Sequence, residues 1–264
     1  MPASPALPER RSTLLHELLR HARSWGHMLH VGSVVLVLAL SPGSYTPEFR
    51  RRTAQHIYTS TWQVMSWFTA LAALLSLVVI RIVVVTALSY GLSQYALQMV
   101  VRVLVLELIP LCAALFVALR AGMAFNAGAV GEADKQPSAQ RALDLVHLQT
   151  HLAPRVLADA FAVLALATLS SVVVLVLAYL TVYGFSPWGL AGFTRTVGQV
   201  FDLPVSLGFF LKTLFFSLAV AVVPLAASLE AEPKRASDTI QPGAVRLLLV
   251  LFLLEALSLA VKYI

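Results

Sequence analysis

The chain has 264 residues, 59% hydrophobic and 12% charged, with a mean hydropathy of +0.82 and a net charge of +6. Soluble domains carry about 25% charge, so this composition excludes a surface wetted on all sides and identifies a membrane protein. Seven of the nineteen Lys and Arg lie in the first 52 residues, the clustering of a cytoplasmic flank, so no nucleic-acid partner is expected.

In chain order, residues 1–61 read as an N-terminal interfacial or re-entrant region and residues 62–264 as the membrane body. Arg10, Arg11, Arg20 and Arg23 extend too far before any apolar run for a secretory leader. Over 12–30, Leu15, Leu18, Leu19, Ala22, Trp25 and Leu29 recur at helical spacing, with Arg20, Arg23 and His27 between them. That pattern suits a helix lying in the membrane interface. The ten-residue apolar run at 31–40 is too short to span and reads as re-entrant or interfacial. After Arg50-Arg51-Arg52, five spans are expected at 62–88, 97–120, 155–183, 205–229 and 244–263, each long enough for a ~30 Å core. No ten-residue segments alternate with period two, which argues against a β-barrel. The expected fold is an all-α membrane protein: an N-terminal interfacial helix, about five transmembrane helices, and a cytoplasmic coupling helix between spans two and three.

The loops set an orientation. Lys and Arg number three at 121–155 and two at 230–243, against none at 89–96 and only Arg195 at 184–204. The positive-inside rule then places the N-terminus in the cytoplasm and the C-terminus outside.

Between spans two and three lies a polar island, VGEADKQPSAQRA at 130–142, carrying Glu132, Asp134, Lys135, Gln136 and Arg141. After Pro137, Ala142, Leu145 and Leu148 or Gln149 and Leu152 fall on one side at helical spacing. Such a helix either rests on the lipid interface or transmits force from a soluble partner. His147 and His151 stand four apart, but with no nearby Cys and no HExxH glutamate no metal site is expected. No Walker Lys-Thr loop and no GxSxG elbow occurs. The chain is therefore not read as an enzyme: it has no catalytic residues or bound cofactor, and any ATP is used by a partner chain.

Charges within spans cost roughly 2.5–3.5 kcal/mol each on insertion scales and default to functional roles. Five stand out: Arg81, Arg102, Glu107, Lys212 and Glu255. Arg81, Arg102 and Lys212 fall toward the outer side, where they could receive a phosphate head group or snorkel to the interface. Glu107 and Glu255 lie nearer mid-span and need a partner on another helix or a wet cavity, for ion pairing or a proton relay.

Three stretches carry a family resemblance: TPEFRRRTAQHIY at 46–58, LELIPLCAALFVALRAG at 106–122 and LAPRVLADAFAVLAL at 152–166. In order and spacing the chain resembles the MlaE (YrbE) family of permeases from about residue 25 to its C-terminus, with Lys212 matching a lysine of the fourth span. The family's Arg-Glu-Leu-Gly-Pro stands here as Leu106-Glu107-Leu108-Ile109-Pro110, and its coupling Glu-Gln as Lys135-Gln136. The resemblance implies a bacterial inner-membrane permease subunit of an MCE-type ABC lipid transporter, forming a homodimer or a heterodimer with a related permease. It also implies a separate cytoplasmic ABC ATPase, a periplasmic MCE-domain protein and phospholipid as cargo. The alternative is a degenerate, regulatory or scaffold subunit that does not couple to ATP.

Overall fold

The computed structural model describes residues 47–132, 153–230 and 242–263, together with Gly26, His30, Ser33, Val34 and Val37. The expected interfacial helix at 12–30, the run at 31–40, the coupling helix after Pro137 and the histidines His147 and His151 thus lie largely or wholly outside the described residues. Among those described, every regular element is helical. The order is α1 (Pro47–Ile57), a π-helical turn (Tyr58–Trp62), α2 (Gln63–Ser89), α3 (Ser93–Val100), a π-helical segment (Val101–Leu108) and α4 (Ile109–Glu132). After the polar island come α5 (Ala153–Tyr183), a 3₁₀ turn (Pro187–Gly189), α6 (Leu190–Val200), α7 (Leu203–Glu230) and α8 (Pro242–Tyr263).

Five stretches are long and apolar enough to cross a bilayer: Val64–Ser89, Tyr95–Ala121, Ala153–Tyr183, Leu203–Ala226 and Ala244–Lys262. The chain is a multi-pass, all-α membrane protein, with spans within two or three residues of those expected. Helices apolar on all sides satisfy their backbone internally, which lipid demands. Their outward faces remain oily: Trp67, Leu71, Leu74 and Ile82 on α2, and Leu249, Phe252 and Leu253 on α8.

The ends of the spans are set by backbone chemistry. Gly91 has φ +71° and Gly184 φ +66°, the left-handed region that ends a helix at little steric cost only for glycine. Beyond α2, the Leu92 N–H donates to Ala87 O at 2.8 Å and the Gly91 N–H to Leu88 O at 3.1 Å. This Schellman pairing satisfies orphan carbonyls and turns the chain straight back into α3.

At the centre stands α5, packed against α1, α2, α4 and α7, while α7 also packs against α4 and α8. The contact face of α5 is built of small residues, including Ala162, Ala167, Ser170, Ser171 and Ala178, all buried. Between membrane helices lipid tails supply no hydrophobic drive, so close backbone approach over small residues supplies the packing. Leu104, Val105, Ile109, Leu166, Val220 and Leu251 fill the remaining core.

The connection at 184–204, expected as a loop, contains α6. It is pinned by an aromatic cluster in which Tyr179 and Tyr183 stack at 5.7 Å between centroids. Phe193 meets Tyr179 edge-on at 5.2 Å and Tyr183 at 6.4 Å. The Tyr179 hydroxyl donates to Ser186 O at 2.5 Å, folding the chain over the end of α5.

Candidate functional site

The second span is not a continuous α-helix. Val101–Leu108 is π-helical, and Pro110 stands just beyond it, within the first turn of α4. A proline ring clashes with the carbonyl four residues earlier, here Leu106, and lacks the N–H that would have bonded to it. Widening to i→i+5 bonds relieves that conflict, and such segments recur where helices carry function. Glu107 sits inside this segment, on the wall shared with α7 and α8.

From α7 comes Lys212, whose side chain is 4% exposed. Its Nζ donates to Glu107 Oε2 and lies 2.7 Å from Glu255 Oε2 on α8, as an ion pair outside hydrogen-bond alignment. The same ammonium stands 5.7 Å from the Phe216 ring centroid, one turn along α7, within cation–π range. A second lysine closes the group: Lys262 Nζ donates to Glu107 Oε1 at 2.7 Å. Two carboxylates and two ammonium groups, drawn from three spans, thus form one net-neutral quartet.

The placement of Lys262 follows from helix geometry. Glu255 and Lys262 are seven residues apart, two turns, and so share one face of α8. Side chains lean toward the N-terminus of their helix. Lys262, in the last turn, therefore reaches back along α8 toward Glu107 rather than out past the helix end.

Beside the quartet opens a cavity of about 710 Å³ between the second, fourth and fifth spans. Glu107, Lys212 and Lys262 are its charged lining residues; Phe209, Phe215, Leu254 and Leu257 contribute to its apolar wall, and Ser258 adds a hydroxyl. A chamber with oily walls and one ionic end, opening within a membrane protein, has the chemistry to hold an amphiphile: tails against the walls, a charged head at the quartet.

The intramembrane charges singled out in the sequence separate into two sets. Lys212, Glu107 and Glu255 converge. Arg81 and Arg102 do not join them: both are exposed, and neither makes an ion pair with another described residue. Of the coupling candidates, Glu132 ends α4 as backbone only, while Asp134, Lys135, Gln136 and Arg141 lie outside the described residues. Sequence reasoning passed over Lys262 because it sits at a span end, where snorkelling is the ordinary reading; its seven-residue spacing from Glu255 was the available signal. No group of three or more His, Cys, Asp or Glu suited to a metal occurs among the described residues.

The comparisons agree with this architecture. A family model described as Permease MlaE matches residues 53–260, which takes in four spans, the fifth as far as residue 260, and the quartet except Lys262. No curated protein matches the chain.

Proposed function

The chain belongs to the MlaE permease family, and from that premise we propose that it is the membrane subunit of an ABC-type transporter moving phospholipid. The observation that carries the reading is the amphipathic cavity: apolar walls from α7 and α8 ending on Glu107, Lys212 and Lys262. Acyl chains would lie along Phe209, Phe215 and Leu257, and the head group would meet the ionic end. The energy would come from a separate cytoplasmic ABC ATPase docking on residues 122–153, with Glu132, Asp134, Lys135, Gln136 and Arg141 as the contact set. A periplasmic MCE-domain protein would exchange lipid on the outer face of the bacterial inner membrane. Two copies, or one copy and a related permease, would enclose the transport path. Arg81, exposed on α2, and Arg102, exposed on the second span, would meet lipid head groups before they enter the cavity.

Lys135, standing where the family carries a glutamate, favours a second reading in which the chain assembles without coupling to ATP. Purification of the tagged full chain in mild detergent, with proteins and lipids identified by mass spectrometry, tests the proposal. Recovery of an ABC ATPase, an MCE-domain protein and phospholipid is expected. Lys135→Glu in the reconstituted assembly should then change nucleotide-linked transport without changing lipid retention. Recovery without any ATPase would leave the uncoupled reading standing in place of the first.

A further inference from the structure

The quartet constrains which head group the cavity accepts. Glu107 and Glu255 carry two negative charges, Lys212 and Lys262 two positive, and the four meet within one contiguous set of ion pairs. Burial makes any imbalance costly, because a charge held away from water must be paired. Lys212 is 4% exposed and joined to both carboxylates; Lys262, at 22%, is the more accessible cation and pairs with Glu107.

On the reading that this cavity holds phospholipid, we infer that the quartet selects zwitterionic head groups, a phosphate joined to an ammonium, over anionic ones. A zwitterionic head group enters by exchange. Lys262 releases Glu107 and pairs with the phosphate, with Lys212 beside it, and the incoming ammonium takes the place that Lys262 held on Glu107. Every charge keeps a partner and the sum remains zero. A head group with phosphate and no ammonium releases Lys262 in the same way but leaves Glu107 short of a cation, in a chamber whose other walls are mostly apolar. Specificity here is a difference between two binding energies, and the uncompensated negative charge, with Lys212 left to serve both carboxylates, supplies the repulsive element. Phosphate recognition alone, from cations exposed on the spans, would predict the opposite preference.

The test is competitive lipid retention by the full chain. Purified protein is exchanged into mixed micelles holding equal amounts of phosphatidylethanolamine and phosphatidylglycerol, and bound lipid is counted by native mass spectrometry. Gly208 lines the cavity, and a Cβ built there meets nothing within 4 Å. Gly208→Leu therefore blocks the chamber without a backbone clash, and lipid still retained by it is subtracted as annular. The cavity-specific fraction should favour phosphatidylethanolamine by about tenfold, the equivalent of about 1.4 kcal/mol. Glu255→Gln gives the site a net positive charge and should bring the ratio to one or below. Lys262→Gln, at the accessible end, gives a net negative charge and should raise it, so one well-folded variant suffices to read the sign. Equal or greater retention of phosphatidylglycerol by the unaltered chain, or a ratio that neither variant moves, overturns the selectivity. If Gly208→Leu removes no lipid at all, the cavity is not a lipid site; the proposed function then loses its supporting observation, and this inference fails with it.

Discussion

Lys212 is the buried cation of the described residues, and it shares its ammonium between two carboxylates on two different spans. Removing it would leave Glu107 and Glu255 facing each other with Lys262 as the remaining cation of the quartet. Breaking a buried pair on one side costs about 3–5 kcal/mol, whereas replacing both partners by neutral groups is often close to neutral. Lys212→Met is therefore expected to lower stability by about 3 kcal/mol or more. The charge-balanced double variant Lys212→Met, Glu255→Gln should recover part of that loss. Thermal unfolding in a single detergent, followed by size-exclusion chromatography, ranks the three proteins. A double variant less stable than Lys212→Met would show that the pair with Glu255 is not what the lysine compensates. The residue types of this site were legible as an excess of charge in apolar runs, since insertion costs make such charges conspicuous. Their pairing was not, because helical spacing within one span says nothing about which face a neighbouring span turns toward it.

At the scale of elements, two features departed from the simplest expectation, and both have local causes. The π-helical segment precedes Pro110, whose missing N–H was visible in the sequence; the widened register over Val101–Leu108 was not. The helix α6 was hidden in a stretch expected as loop, because at 11 residues it is marginal alone and depends on the aromatic cluster beneath it. Gly189 marks how tight that seat is. A Cβ there would lie 2.7 Å from Tyr183 Cδ1 and 2.8 Å from Tyr183 Cβ and Cγ. Gly189→Ala must displace the ring and with it the packing on Phe193, at a cost of about 1–3 kcal/mol as overpacking. Gly198, within α6, has nothing within 4 Å of a built Cβ, so Gly198→Ala should be neutral or slightly stabilising by helix propensity. Parallel melting curves of the two variants check the contrast, and equal destabilisation would remove the steric argument.

For the whole molecule, the five spans, the central position of α5 and the peripheral α8 leave large lipid-facing surfaces on α2 and α8. The distribution of Lys and Arg predicts that the polar island is cytoplasmic and the α5–α7 connection external. Labelling with a membrane-impermeant thiol reagent tests this in a Cys112→Ser background, where no other thiol remains. Trp188→Cys, at a position 92% exposed beyond α5, should label in spheroplasts. Lys135→Cys should label only after permeabilisation. Reversal of that pattern would invert the topology and move the proposed ATPase and MCE partners to opposite faces.

What the amino-acid sequence determined by itself was the solvent and the architecture: runs of Val, Leu, Ala and Phe about twenty residues long admit helices crossing lipid and little else. Basic residues in alternate loops give an expected orientation, and the motifs around Pro47, Glu107 and Pro154 carried the family. Tertiary structure alone decided that Glu107, Lys212, Glu255 and Lys262 form one neutral group beside a cavity, while Arg81 and Arg102 face outward. The physical reason is that hydropathy is a property of each segment taken singly. Charge pairing depends on the rotation and depth of one helix against another, and those are set by small-residue packing between spans far apart in the chain.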